Sequence, residues 1–528
     1  MRILWRPIFA LLLLSSVALA WRPPKPGFVI HFDFISNERE GRELVRIAAR
    51  AGAKVANVVP PAHIWENDQS LRMLAGILDE INKLHLSLVF TRIDAAYPPD
   101  TKGERFYYLY SNILDEFGIL PDGSRTVAYF KTTAGRDGYR EWMEEETRYY
   151  ATHYGNLPNL LGINLGPFSE PFSSERGSFL EYVNKTGSYE IAQYTPYALN
   201  LWHQWLNKHY ETVAAVDAEY ATSFPSFDSI PMPLNESDSR FGKPALAYFD
   251  FARSLNDWFV DCYQRCRKIW HESAARPDIP FILQFSGGEP EKFVRGRPGF
   301  AAFDMPGWVG MADALGLSLY TNSGFPDMGH ASVSTTINLV SVARALGKDV
   351  FVLEGGNEAP NVTLDPVEFH FYSTIARRLE PRTYIYEFLK DKFQEDYPYN
   401  PGKLVTAKGK IRQPAFNTLR AAFAEMESTP VPPLKPVLYA ISNSMAARDN
   451  QHAGVLNSAL YDLASDLPIM WIPLGTKPVQ EPGIPVVQPD GTVIPPDERL
   501  SRLFHEIPRV DSPERIQWKQ EVTKALNR

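Results

Sequence analysis

The sequence has few cysteines, and this shortage excludes a class of small secreted folds. Only Cys262 and Cys266 occur among the 528 residues. They stand four residues apart on a predicted helix, where a disulfide would need distorted geometry, and two thiols alone do not make a zinc site. We therefore expect two plain thiols, without a disulfide framework and without a structural metal.

Positive charge is also scarce. The chain has 54 Lys and Arg residues against 62 Asp and Glu residues, a net charge of −8, and no basic face is visible along it. Proteins that bind nucleic acids or anionic membranes carry such a face, so neither partner is expected. A Gly-rich dinucleotide fingerprint is missing after the first predicted strand, which disfavours an open doubly wound sheet. No metal-ligand spacing is visible, and no cofactor is expected.

Long apolar runs are confined to the N-terminus. Residues 1–20 contain two arginines, an apolar run from Ile8 to Leu14 and the small-residue ending Ala18-Leu19-Ala20. This arrangement is typical of a secretory signal peptide, and the run is too short to span a bilayer comfortably. The sequence therefore predicts a secreted or periplasmic protein without a membrane partner.

Between residues 21 and 400, short apolar or β-branched runs alternate with amphipathic helical patterns. Such alternation predicts parallel strands joined by crossover helices, and eight repeats fit a (β/α)8 TIM barrel whose site lies at the carboxyl ends of the strands. The eight runs are Phe28 to Asp33, Lys54 to Val59, Leu86 to Asp94, Leu160 to Leu165, Pro280 to Phe285, Ala314 to Tyr320, Asp349 to Glu354 and Thr383 to Phe388.

Beyond residue 400 the pattern changes. Residues 401–475 predict a helix followed by a small β-α-β unit, and residues 476–528 predict a Pro-rich arm that ends in a charged helix. The predicted architecture is thus an α/β protein with a (β/α)8 barrel, a small C-terminal α/β unit and an extended tail. A homo-oligomer formed through the C-terminal region is a further expectation.

Two carboxylates follow strands on opposite sides of the predicted barrel. Glu170 comes after the fourth strand in GINLGPFSEP, and Glu354 ends the seventh strand in VLEGGNEAP. Glycoside cleavage needs such a pair, because one carboxylic acid protonates the leaving oxygen while a second carboxylate attacks or stabilises the anomeric carbon. The pair predicts a glycoside hydrolase with Glu170 as acid/base and Glu354 as nucleophile, acting on an oligosaccharide or glycoside.

Further polar residues stand at or near the predicted strand ends, where they would line the same mouth. Tyr320 is expected to hydrogen-bond Glu354 and keep it ionised. The candidate substrate-binding residues are Asp33, Arg92, Asn164, Gln284, Tyr320 and Asn322.

One stretch carries a resemblance to a known family. From Leu201 to Pro233 the sequence reads LWHQWLNKHYETVAAVDAEYATSFPSFDSIPMP, and Ala247 to Pro280 continues the similarity. Both stretches resemble the family 42 glycoside hydrolases, the microbial beta-galactosidases of glycoside hydrolase clan A. Leu353-Glu354 matches where that family carries its nucleophile, and the C-terminal unit resembles a shortened version of the family's trimerisation domain.

The acid motif departs from that family. The family has Asn-Glu after the fourth strand, whereas this chain has Ser169-Glu170. The usual Asn holds the 2-hydroxyl of the substrate, so galactoside specificity is open. The Gly-Pro-x-x-Glu form resembles the acid motif of the inverting beta-amylases. The alternatives are therefore an inverting glycosidase, or a carbohydrate-binding barrel without catalytic activity.

Overall fold

The computed structural model describes most of the chain between residues 23 and 527. The predicted signal peptide lies outside the described residues. The described ranges are 23–32, 35–61, 64–91, 117–119, 122–123, 125–129, 139–165, 182–183, 189–190, 194–285, 305–320, 339–340, 342–344, 346–356, 374, 377–386, 404–406, 409–430, 435–442, 451–464, 467, 469–473, 483–508 and 512–527.

Eight parallel strands form one sheet, which confirms the predicted (β/α)8 barrel. The strands are β1 (Lys25–His31), β2 (Val55–Val59), β3 (Ser87–Thr91), β4 (Leu160–Asn164), β5 (Ile282–Phe285), β6 (Ala314–Tyr320), β7 (Asp349–Gly356) and β8 (Thr383–Tyr386). Their order is β4-β3-β2-β1-β8-β7-β6-β5. A parallel bridge between Ile163 and Phe281 joins the two outer strands, and the Ile163 amide donates to the Pro280 carbonyl at 3.1 Å.

Successive residues of each strand point in turn to the barrel interior and to the surrounding helices, as the pleat requires. In β6, Ala314 packs in the interior cluster, whereas Leu315 and Leu317 pack in the outer core. In β7, Phe351 and Leu353 belong to the interior cluster. The interior is therefore a packed apolar core, and a ligand site has room only at its ends.

Helices pack against the outward-facing side of the strands. The first two helices, Glu38–Arg50 and Asp68–Lys83, follow Asn37 and Asn67, whose side-chain oxygens accept hydrogen bonds from amides of the first helical turn and cap the helices. In the described part of the chain, no helix has both the length and the apolar character needed to cross a membrane. The helices of this region are α1 (Glu38–Arg50), α2 (Asp68–Lys83), α3 (Tyr139–Tyr154), α4 (Pro196–Tyr210), α5 (Val213–Tyr220), α6 (Pro244–Ser273) and α7 (Met305–Met311).

The two stretches that resemble family 42 cover most of α4, all of α5 and nearly all of α6. These helices meet at Asp250, which is buried on α6 and accepts hydrogen bonds from the hydroxyls of Tyr210 at 2.6 Å and Tyr220 at 2.8 Å. Burial raises the pKa of Tyr220 well above its usual value, so this phenol remains a donor. Cys262 and Cys266 are buried free thiols on the same α6 helix.

The C-terminal region forms a second sheet. Its strands are β9 (Leu438–Ser442), β10 (Ile469–Pro473), β11 (Val486–Val487) and β12 (Val493–Ile494), in the order β10-β9-β11-β12. The helices of this region are α8 (Gln413–Ser428), α9 (Gln451–Ala464), α10 (Glu498–His505) and α11 (Pro513–Leu526). Of these, α8 packs against the barrel, where Phe423 contacts Phe28 of β1.

The Pro-rich stretch that the sequence predicts to be an extended arm forms part of the second sheet. Val486 and Val487 are buried and pair in parallel with Tyr439 and Ala440 of β9. The backbone of β9 thereby gains a partner on its second edge. The β-α-β unit and part of the Pro-rich segment consequently share one sheet.

Asp313 ties the base of the barrel to α6. Its carboxylate accepts hydrogen bonds from Arg267 at 2.6 Å, from His271 at 2.7 Å and from the Phe281 amide at 3.0 Å. Burial opposes ionisation, but the hydrogen bonds from Arg267 and the Phe281 amide outweigh it and lower the pKa of Asp313. The carboxylate is therefore stabilised as an anion in the folded state.

We expect Asp313→Ala to lower the free energy of unfolding by about 2–3 kcal/mol, because it leaves the Arg267 guanidinium, the His271 ring and the Phe281 amide without their acceptor. Because folding lowers the pKa of Asp313, its contribution is present above the unfolded value of about 3.9 and is lost as the pH falls below it. Urea unfolding at pH 7 and at pH 3 measures both effects. The exposed pair of Arg276 and Asp278 supplies the control, since Asp278→Ala should change stability little.

Candidate active site

Polar side chains gather inside the carboxyl end of the barrel, on four neighbouring strands. Glu354 of β7 is only 2% exposed, and Asn164 of β4, Gln284 of β5 and Ser318 of β6 are fully buried. Burying a carboxylate and two amides costs free energy unless they are hydrogen-bonded. Their contacts therefore show what the site is built to hold.

A bulge in β7 turns Glu354 into the barrel. Leu317 of β6 pairs with Val352, but the next residue, Ser318, pairs with Glu354, so Leu353 is an extra residue. Regular alternation would place Glu354 on the outward side with Val352. The extra residue reverses this direction and brings the carboxylate to the inward-facing Ser318, as bulges beside active sites commonly do.

β4 has a matching irregularity. Leu88 of β3 pairs with Leu160, and Val89 pairs with Gly162, so Leu161 is the extra residue. A Cβ on Gly162 would lie 2.5 Å from Ile282 Cδ1 inside the barrel, so a larger residue at this inward position would displace the end of the Ile282 side chain. The shift directs Asn164 into the interior. Both strands that were predicted to carry a catalytic carboxylate thus contain a one-residue register shift.

The four polar side chains form one hydrogen-bonded chain. Asn164 Nδ2 donates to Gln284 Oε1 at 2.6 Å, and Gln284 Nε2 donates to Ser318 Oγ at 2.8 Å. Ser318 Oγ then donates to Glu354 Oε2 at 3.2 Å. We call this chain, from Asn164 through Gln284 and Ser318 to Glu354, the polar relay.

All three donors of the polar relay point toward Glu354. The Ser318 oxygen accepts from Gln284, so its own hydrogen is directed at the carboxylate. A hydrogen bond donated to a carboxylate favours its charged form. The polar relay thus supplies one hydrogen-bond donor to a carboxylate of the kind that a nucleophile or a general base uses.

Two of the candidate substrate-binding residues lie in the described part of the site. Asn164 and Gln284 have buried side chains that hydrogen-bond each other, and Gln284 also donates to Ser318. A contact of either residue with substrate stays a prediction. Ser318 was missed by the sequence reasoning, although it stands two residues before the candidate Tyr320 in β6.

The other candidate residues are not placed by the structure. Tyr320 ends β6, and its side chain is outside the described set, as are Glu170, Asp33, Arg92 and Asn322 in full. The expected contact between Tyr320 and Glu354 therefore stays a prediction. Over the described ranges, no three His, Cys, Asp or Glu side chains come together in a group that could hold a metal ion.

We expect Ser318→Ala to move the acid-side limb of the kcat/KM pH profile to higher pH, because a hydrogen-bond donor to the Glu354 carboxylate is lost. Ser254→Ala is the control, since that buried serine donates to the Phe251 carbonyl on α6 at 2.7 Å. An unchanged acid limb in Ser318→Ala would show that this hydrogen bond does not set the ionisation of Glu354.

The fold and the buried carboxylate define a glycosidase-type barrel, and comparison with known proteins agrees. Residues 179–336 match the family model for beta-galactosidase of glycoside hydrolase family 42. This range includes both stretches that carry the resemblance in the sequence. The predicted resemblance to family 42 is thereby confirmed, and the match supports the predicted class, a glycoside hydrolase.

Solved structures share the barrel at low sequence identity. A beta-galactosidase from the Antarctic haloarchaeon Halorubrum lacusprofundi superposes with a TM-score of 0.62 at 14% identity over 85% of this chain, which spans 66% of that enzyme. A beta-galactosidase from the psychrophilic Marinomonas ef1 gives 0.57 at 15% identity, over 85% of this chain and 70% of that one.

A barrel with another activity is also similar. The catalytic domain of a beta-amylase from Paenibacillus polymyxa gives a TM-score of 0.53 at 12% identity, over 77% of this chain and 99% of that domain. No curated protein matches the chain in sequence. At these identities the solved structures establish the fold alone.

Proposed function

We propose that the protein is an exported, retaining glycoside hydrolase with beta-galactosidase-like activity. Glu354 is the nucleophile and Glu170 the general acid/base. The observation that carries this proposal is the buried Glu354 carboxylate, which a bulge turns into the barrel mouth and which accepts a hydrogen bond from the end of the polar relay. The family match supports the same reaction class.

The reaction has two steps. Glu170, as a carboxylic acid, donates its proton to the glycosidic oxygen while a Glu354 oxygen attacks the anomeric carbon, so that the leaving alcohol departs and a glycosyl ester forms. Glu170, now a carboxylate, then takes a proton from water, which attacks the same carbon and releases Glu354. Two inversions leave the anomeric configuration unchanged.

An inverting mechanism is the second candidate. The Gly-Pro-x-x-Glu motif at Glu170 favours it, as does the similarity to the beta-amylase barrel. In that case Glu354 acts as general base on a water molecule, and the two carboxyl groups stand about 6.5–9.5 Å apart instead of about 5 Å. The polar relay suits this role equally, because a general base must also be ionised.

The stereochemistry of the product distinguishes the two mechanisms. We expect a p-nitrophenyl β-galactoside to be hydrolysed, with the β anomer of the sugar appearing first in a proton NMR time course. Initial formation of the α anomer would establish inversion. A panel of β-glucosides, β-mannosides and β-xylosides in the same assay measures specificity for the sugar.

Binding without hydrolysis would overturn the proposed function. If the full-length protein cleaves no aryl glycoside or oligosaccharide and yet binds an oligosaccharide in calorimetry, it is a carbohydrate-binding barrel. Activity that Glu354→Gln leaves unchanged would instead remove Glu354 from its proposed role and leave the enzyme class intact.

A further inference from the structure

The two peptide carbonyls that precede Glu354 both accept hydrogen bonds from side chains. The Val352 carbonyl accepts from Thr383 Oγ1 of β8 at 3.2 Å, and the Leu353 carbonyl accepts from Asn57 Nδ2 of β2 at 3.2 Å. Both donor residues are fully buried. The two donors therefore hold the backbone of the β7 bulge in place.

The contact made by Asn57 crosses the barrel. β2 is separated from β7 in the sheet by β1 and β8, so Asn57 reaches Leu353 through the interior. The neighbouring inward residues of β2, Val55 and Val59, belong to the apolar interior cluster. A buried amide among such neighbours costs free energy unless it is hydrogen-bonded, and the described bond of its amide nitrogen goes to the bulge.

The position of this contact determines where Glu354 points. Leu353 is the extra residue of the bulge, and a bulged residue is left out of the regular ladder. Its carbonyl belongs to the peptide that leads into Glu354. If that peptide rotated, or if the extra residue returned to the ladder, the carboxylate would turn away from Ser318 toward the outer core.

We propose that Asn57, assisted by Thr383, is a positioning residue that fixes the β7 bulge and thereby aims Glu354 at its reaction partner. Its catalytic consequence rests on the proposed function, whereas its structural consequence does not. Asn57 touches the backbone before Glu354 and acts through it. The residue was part of a predicted strand, KVANVV, and had no role assigned from the sequence.

The test removes the hydrogen-bond donor. Asn57→Leu keeps the number and branching of the side-chain heavy atoms but adds volume, so Thr383→Val, which removes only the neighbouring hydroxyl at nearly constant volume, is the milder change. The matched control is Asn159→Leu, because Asn159 Nδ2 donates to the Leu86 carbonyl at 2.9 Å at the opposite end of the barrel. Each variant is purified as the full chain, and its melting temperature is recorded first.

We expect Asn57→Leu to lower kcat for an aryl glycoside about a hundredfold, because misplacing a reacting group by about 1 Å has effects of this size. Thr383→Val should lower kcat several-fold. In both variants KM should change less than threefold. Asn159→Leu should lower the melting temperature and leave kcat unchanged. A kcat in Asn57→Leu and Thr383→Val within twofold of wild type, measured below their melting temperatures, would overturn the proposal.

A crystal structure of the variant separates this inference from the proposed function. In Asn57→Leu, or in Thr383→Val if the first variant does not fold, we expect the distance between Ser318 Oγ and Glu354 Oε2 to exceed hydrogen-bonding range. An unchanged bulge contradicts the inference whatever the activity is. If Glu354→Gln retains wild-type kcat, the catalytic role proposed for Glu354 fails, and the structural result still decides whether Asn57 holds the bulge.

Discussion

Replacing Glu354 by Gln is expected to lower kcat/KM for an aryl glycoside by at least about a thousandfold, because the change removes both the nucleophile and the negative charge that stabilises the oxocarbenium-like transition state. The amide has nearly the same shape, so packing should survive. The polar relay adds a reason for the size of the effect. Ser318 donates to Oε2, and a neutral amide in that place accepts this bond without supplying charge.

The control for this prediction makes the same chemical change at another buried carboxylate. Glu80 of α2 is 5% exposed and accepts hydrogen bonds from Arg46 at 2.8 and 2.9 Å. Hydrogen bonds from Arg46 outweigh burial and lower the pKa of Glu80, so its role is an ion pair on the outside of the barrel. Glu80→Gln should lower the melting temperature and leave kcat unchanged. If the two variants have equal activity, Glu354 is not catalytic.

The barrel could be predicted because its determinants are local. Each inner strand is a run of apolar or β-branched residues bounded by helical patterns, and all eight predicted runs coincide with strands, with Ala314 to Tyr320 reproduced at both ends. The position of Glu354 at a strand end also follows from the run that precedes it. These features depend on the residues of one segment at a time.

The bulges could not be predicted from the alternation of residues. The residues before Glu354, VFVL, form a continuous apolar run. Such a run does not show which face of the strand each residue takes. The extra residue at Leu353 is recognised only when β6 and β8 are paired with β7. A run of apolar residues buried on both faces carries no period, so the direction of the Glu354 side chain was open.

The hydrogen-bond partners of the buried polar residues could not be predicted from the sequence either. Gln284 stands at a strand end and suits a substrate contact as well as a structural one. Its side chain hydrogen-bonds Asn164 on one side and Ser318 on the other. These contacts could not be predicted, because the three residues lie far apart in the chain. Asn57 is hidden for the same reason, because its partner, the Leu353 carbonyl, is 296 residues away.

Glu170→Gln is expected to lower kcat about 10²–10⁴-fold for a glycoside with a poor leaving group, because general acid catalysis contributes this much when the departing alkoxide is basic. For a dinitrophenyl glycoside, whose leaving group departs without a proton, glycosylation should be nearly as fast as in the wild type. Burst kinetics with the two substrates measure this difference. The matched control is Glu175→Gln, a carboxylate from the same segment after β4.

The dependence on the leaving group also separates the two proposed mechanisms. In the retaining mechanism, Glu170 serves as acid in the first step and as base in the second. Azide is a nucleophile that needs no base. It should therefore rescue turnover of the dinitrophenyl substrate in a Glu170→Ala variant and give a β-glycosyl azide. In the inverting mechanism Glu170 acts only as the acid, and azide would enter from the opposite face as the α product. Equal losses with both leaving groups would show that Glu170 does not protonate the glycosidic oxygen, and the acid would then have to come from another residue.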